Sequence, residues 1–191
     1  MSTPTAAELD AAAAVMQRVR DEAAAQGPSG RMLGDPWPLF IRKMRLLNPQ
    51  SYGARLQNWV VRRWGWERVP SSSDVGDARD PETGTYHEIK FSLPNRSDET
   101  AHFVQIRLYQ PVDTYQLFVV RPNNRLTRLV LSKEQMREEV ARIGGSAHGT
   151  QAAVADNAAR EHAIRIRWAA DNPECVRWLR RYRADPGVPL V

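Results

Sequence analysis

Near the middle of this chain stand three residues whose types and spacing suit phosphate chemistry: Asp77, then, after ten intervening residues, Glu88 and Lys90. Two carboxylates offer hard oxygen ligands to magnesium, which keeps part of its water shell and coordinates phosphate oxygens. A metal so held lowers the pKa of a bound water and offsets the charge that builds on phosphorus, while a neighbouring lysine orients or deprotonates that water. Lys90 also stands out from its background, because 24 of the 27 basic residues are arginine. Arginine is locked in its charged form and a lysine amine can be tuned, so a chain that prefers arginine suggests chemical need where it keeps lysine.

These side chains need a frame, and the local sequence supplies one. The run from Tyr86 to Phe91 reads as a strand, in which residues two apart point the same way. Glu88 and Lys90 then share a face, Ile89 turns into the core with its carbonyl counted among the metal ligands, and His87 alternates away from the site. A preceding strand from Val75 to Ala78 carries Asp77 toward the same face, with Asp80 to Gly84 as the turn and Gly76 leaving the backbone beside the acid open.

Around this hairpin the periodicity predicts helices over residues 5–26, 39–47 and 52–64, with a strand over 66–69. After a polar loop, 103–109 reads as a short helix, 115–121 and 126–131 as a strand pair turned at Asn123-Asn124, and Ser132 to Gln135 as a capping box opening a helix to Ile143. A half-buried strand over 162–168 and a helix over 173–182 complete the order. The expectation is an α/β chain with a mixed central sheet flanked by helices. Residues 1–36 form an Ala-rich helical arm and linker, and 37–191 one domain.

Composition narrows the class. With 191 residues and 42% apolar side chains the chain can bury one core, and its net charge of +5 favours a polyanionic partner, nucleic acid first. The lone Cys175 excludes an internal disulfide framework, and no Cys/His spacing suits structural zinc. No apolar run is long enough to span a bilayer, and the acidic, Ala-rich start lacks a signal peptide's pattern. A cytoplasmic, prokaryotic protein is expected. Gly144 and Gly149-Thr150 imitate a phosphate loop, but no lysine follows Gly149, which excludes an ATPase.

The segments Ser73-Asp-Val-Gly-Asp77 and Tyr86-His-Glu-Ile-Lys90 resemble the active-site signature of the PD-(D/E)xK nuclease superfamily, the fold of restriction endonucleases. That resemblance implies a restriction-endonuclease-like sheet, magnesium dependence with manganese able to substitute, and endonucleolytic hydrolysis of double-stranded DNA in bacterial defence. Asp77 and Glu88 match its metal-binding acids and Lys90 its catalytic lysine, although no proline adjoins Asp77. Val104 to Tyr109 resembles a Gln-x-x-x-Tyr element of several nuclease branches, which implies a place for Gln105 beside the metal. On the helix expected there, Gln105 and Tyr109 lie one turn apart and face the cleft. Gly145 to Thr150, and Asn157 followed by Glu161-His-Ala-Ile, are similar to segments of bacterial restriction-type enzymes. The resemblance runs from about Pro49 to Trp168 and is specific only between Asp77 and Lys90. Where the family's preceding helix often offers a glutamate, this chain has Gln57 and Asn58.

Two other readings stay open: an exonuclease or junction resolvase on the same fold, and a non-catalytic DNA-binding subunit of a larger complex. For DNA contact, the arginines near the third helix either track phosphate or form a solvated basic face, with Trp59 and Trp64 in the core. Arg55, Arg62 and Arg63 are taken as DNA-binding, joined by Arg107, Tyr109 and the loop histidine His148. The C-terminal Arg177, Arg180, Arg181 and Arg183 read as a charged exterior or a second phosphate clamp. The stripe of Leu9, Ala12, Met16, Val19 and Ala23 reads as a helix packed on its own domain or as a dimer-forming arm; cutting both strands needs two copies of the site, so a homodimer is expected, with Leu9, Met16 and Val19 as its spare apolar surface.

Overall fold

The computed structural model describes residues 4–28, 30–70, 72–94, 97, 99–146 and 161–184. His148, Gly149-Thr150 and Asn157 lie outside the described residues. The chain divides into two compact units, one up to Trp59 and one from Val60.

The first unit is helical. Helix α1 (Ala6–Gln26) opens on a reciprocal capping box between Thr5 and Glu8 and stops at Gly27, whose φ of 64° suits glycine. A 3-10 turn (Arg31–Gly34) leads to α2 (Trp37–Met44), and α3 (Pro49–Trp64) begins in this unit. Trp59 packs on Trp37, ring centroids 4.6 Å apart, and on Phe40. The stripe on α1 splits: Val19 and Ala23 are buried, whereas Leu9 is 56% exposed.

The second unit holds a mixed six-stranded sheet in the order β1-β2-β3-β5-β6-β9. Its strands are β1 (Glu67–Arg68), β2 (Ala78–Arg79), β3 (Tyr86–Ser92), β5 (Thr114–Val120), β6 (Leu126–Ser132) and β9 (Arg183–Ala184). Only the β3 and β5 pair is parallel. A second sheet, β4-β8-β7, combines β4 (Thr100–Ile106), β7 (Gly145–Ser146) and β8 (His162–Arg167). Helices α4 (Lys133–Ile143) and α5 (Pro173–Tyr182) complete the unit, α4 opened by the predicted capping box at Ser132 and Gln135. Among the described residues the chain is thus a mixed α/β protein with five helices.

Both faces of the large sheet are covered, which follows from the two-residue alternation of its strands. On one face Tyr115, Leu117, Val119, Leu129 and Leu131 join Phe103, Ile106, Ile164, Met136, Cys175 and Trp178 in the main core. On the other, His87 stacks on Trp66 at 4.1 Å and Phe91 on Phe118 at 4.7 Å, while Trp64 meets the edge of Phe118 and Arg128 lies over both tryptophans. Burial pushes the His87 imidazole down to about 4, so it is neutral at pH 7.

One expected element is of the other kind: 103–109 is not a helix. Residues 100–106 are strand β4, and its pairing with β8 advances three residues from Phe103 to Ile106 while β8 advances two, from Ile164 to His162. The extra residue is a β-bulge, with Gln105 at φ 55°. It leaves Val104 and Gln105 both exposed and Phe103, Ile106 and Gln110 buried. Buried positions three and four apart imitate a helix, which is why the periodicity misleads here.

Two of the C-terminal arginines, Arg177 and Arg181, are tied into the fold. Glu139 on α4 is 1% exposed and accepts from Arg177 through both terminal nitrogens, from Arg142 at 2.7 and 3.2 Å, and from the Tyr182 hydroxyl. Burial alone would raise its pKa, but Arg177, Tyr182 and Arg142 outweigh that and hold it at about 2. Arg177 is therefore a bridge between α4 and α5, and Arg181 pairs with Glu138 at 2.7 Å. Because the folded pKa is depressed from 4.5, the stability this group supplies is complete above pH 4.5 and lost as pH falls toward 2. Glu139→Gln is expected to lower unfolding free energy at pH 7 by about 3 kcal/mol and to flatten its pH dependence between those limits, as denaturant titration at several pH values will show.

Candidate active site

The site is built on the β2 and β3 hairpin. Asp80 Oδ1 accepts from Glu82 N at 2.9 Å within the turn, Gly84 takes a φ of 74°, and the register sets Ala78 opposite His87. Asp77, just before β2, is fastened to β3 twice. Its backbone N–H donates to the His87 carbonyl at 2.8 Å, and its Oδ2 accepts from the Ile89 N–H at 2.9 Å. This close approach depends on Gly76, where φ is 96° and an added Cβ would lie 2.8 Å from the His87 oxygen.

Beside that clamp, Lys90 Nζ meets Glu88 Oε1 at 2.6 Å on one face of β3, with side-chain exposures of 17% and 6%. Burial raises the Glu88 pKa; Lys90 opposes it, the negative charge of Asp77 adds to it, and Arg107 again opposes it. The structure therefore brings Asp77, Glu88 and Lys90 together as the spacing predicts. Ile89 is buried between them, its N–H on Asp77 and its side chain on the opposite face by alternation.

Other expected site residues are placed differently. Gln105 and Tyr109 do not share a helical face: Gln105 is exposed on the bulge and Tyr109 is 57% exposed beyond the strand. Arg107 donates from Nε to Glu161 Oε1 at 2.7 Å, and it and Glu88 feel each other's charge. Arg62 and Arg63 are exposed on α3. Arg55 corrects the DNA-binding expectation, since it is 5% exposed and its guanidinium is bound to Ser51 O and Oγ at 2.8 Å and to the Ala23 carbonyl. Such a group braces the first unit and presents little to a partner.

Two contributors are given no part in the site by the sequence reading. Tyr115 pairs in register with Glu88 on the neighbouring parallel strand, and its buried hydroxyl donates to the Arg107 carbonyl at 3.0 Å. Burial raises its phenol pKa, and the Glu88 charge adds to that. Glu161, the partner of Arg107, lies 54 residues away along the chain. Neither contact has a local signal, because parallel pairing and the meeting of β4 with β8 are long-range. The scarcity of lysine also proves a weaker sign than it reads. Lys43 bridges Glu22 and Asp35, and Lys133 donates to the Gln110 carbonyl, so each lysine occupies a confined position.

Among the described residues no group of three or more His, Cys, Asp or Glu gathers in a metal-binding arrangement. A cation here would rest on Asp77 and Glu88, with backbone oxygen and water completing its shell. The donor chemistry fits: the charge of the half-buried Asp77 acts on the buried Glu88, and one oxygen of each carboxylate lies outside the contacts with Ile89 and Lys90. No described helix is long and apolar enough to cross a membrane. No protein-family model matches the chain, and a search of curated proteins likewise finds no match.

Proposed function

We propose that this protein is a magnesium-dependent endodeoxyribonuclease of the PD-(D/E)xK kind, hydrolysing phosphodiester bonds of double-stranded DNA in a restriction or defence role. The observation that carries the reading is the double fastening of Asp77 onto β3 beside the buried Glu88 and Lys90 pair. Asp77 and Glu88 would hold the metal, manganese serving in place of magnesium, and the metal would supply an acidified water and charge neutralisation at phosphorus. Lys90, on the same face as Glu88 and paired with it as an ammonium, would orient that water and offset negative charge at the phosphate. Burial of Glu88 on β3 limits the screening of its charge by bulk water.

Incubating supercoiled plasmid with magnesium tests the proposal. Discrete linear fragments support it, and intact plasmid with folded, metal-supplied protein removes it. With linear duplex and a four-way junction as parallel substrates, mononucleotides or resolved junctions point instead to the exonuclease or resolvase alternative, whose expected helical pairing of Gln105 with Tyr109 is absent. The other alternative, a DNA-binding subunit without activity, draws support from the closeness of the Glu88 and Lys90 ion pair, which satisfies itself without a metal. Cutting both strands of a duplex calls for two copies of the chain, each supplying one site. Leu9, exposed on α1, belongs to the surface proposed to join them.

DNA contact by Arg62 and Arg63 has a distinct signature. Replacing both with Ala is expected to weaken binding across all sequences and to flatten the log affinity versus log salt plot by about one unit per lost phosphate contact. Binding isotherms at several salt concentrations, with calcium in place of magnesium, read this directly. An unchanged slope returns both residues to a solvated helix face.

A further inference from the structure

Building on the nuclease reading, we infer that Arg107 forms a phosphate-binding subsite beside Glu88, gripping non-bridging oxygens of a DNA phosphodiester, and that Glu161 is its positioning residue. The attachment of the guanidinium favours this. Glu161 Oε1 takes Arg107 at Nε, 2.7 Å away, and among the described residues the two terminal nitrogens have no hydrogen-bond partner. An arginine tied by Nε keeps its terminal edge for another anion, and that planar edge matches two oxygens of one phosphate. Exposure is graded in the same sense, since the side chain of Glu161 is 14% exposed and that of Arg107 33%. The anchor is enclosed and the arginine reaches solvent.

The backbone fixes where this edge stands. Tyr115, the register partner of Glu88, donates its hydroxyl to the Arg107 carbonyl at 3.0 Å, and the preceding Ile106 is paired with His162. The bulge decides the direction. In a regular strand residue 107 would follow Ala101 and Phe103 onto the core side, but the extra residue at 104–105 gives that place to Ile106 and turns Arg107 outward. Gln105 bears the left-handed φ of 55° that this reset requires.

Charge supplies the need. Asp77 and Glu88 repel an approaching phosphate, and Lys90 is already held on Glu88 at 2.6 Å. Arg107 is the other cation acting on Glu88, and Glu161 offsets part of its charge while holding it in place. A bond that only braces β4 to β8 would make no use of the open terminal edge.

The test is plasmid cleavage in magnesium by the full chain carrying Arg107→Ala, Arg107→Lys, Glu161→Gln, or Arg107→Ala with Glu161→Gln. Because the Arg107 carbonyl and the Ile106 pairing belong to the backbone, these variants are expected to fold, and melting curves verify it. Arg107→Ala is expected to lower kcat/KM by on the order of 10²-fold, with Arg107→Lys restoring less than about a tenth of it. Glu161→Gln is expected to lose about tenfold, and nothing further once Arg107 is already Ala, because it acts through that side chain. Millimolar guanidinium is expected to restore part of the Arg107→Ala rate, an effect that a purely structural ion pair does not produce. If the wild type cuts and Arg107→Ala stays within about threefold of it, the subsite is overturned and the nuclease reading stands. Losses that multiply in the double variant overturn the role of Glu161. A folded wild type that does not cut in magnesium removes both readings.

Discussion

Asp77→Asn, Glu88→Gln and Lys90→Ala are each expected to lower plasmid cleavage by on the order of 10³-fold or more, while melting curves and DNA binding in calcium change little. The two acid variants fail for a different reason from the lysine variant. Removing either carboxylate charge leaves one acid to hold a divalent cation, so magnesium affinity, measured calorimetrically, falls with the rate. Lys90→Ala keeps both acids and so keeps metal affinity while losing rate. Lys90→Arg is also expected to fail, since a planar guanidinium is too broad for the place the ammonium occupies 2.6 Å from Glu88. Cleavage at the wild-type rate by any of these variants would put the site elsewhere.

Gly76→Ala is expected to destabilise the protein by about 2 to 4 kcal/mol and to abolish cleavage together with stability. At φ 96° an alanine is strained wherever it sits, and here its Cβ would also lie 2.8 Å from the His87 carbonyl oxygen and 2.9 Å from Val112 Cγ1. The backbone at 76 must move away from β3. That movement pulls on Asp77, whose N–H donates to the same His87 oxygen at 2.8 Å. Gly84→Ala is the control: its φ is 74°, but its nearest neighbour is the flexible Arg79 Nη2 at 3.8 Å, so it costs the strain alone, about 1 to 2 kcal/mol. Chemical denaturation of the two variants in parallel separates clash from strain, and equal losses would show that Gly76 is not a packing requirement.

The sequence by itself determined the local parts of this protein. Tyr86 to Lys90 alternates, Asp80 to Gly84 turns, Ser132 and Gln135 cap a helix, and Pro173 starts another; each depends on neighbours within a few residues, so each was legible. Asp77, Glu88 and Lys90 were legible for the same reason, because one hairpin carries all three. What tertiary structure decided was everything joined across distance. The helix expected over 103–109 became a bulged strand because pairing with β8, some 60 residues on, outweighed a buried pattern spaced at three and four. Arg55 left the DNA-binding set because its surroundings, which the sequence does not display, enclose it. Tyr115 and Glu161 entered the site through parallel register and sheet pairing, which depend on hydrogen bonds between segments that carry no mark of each other in the sequence.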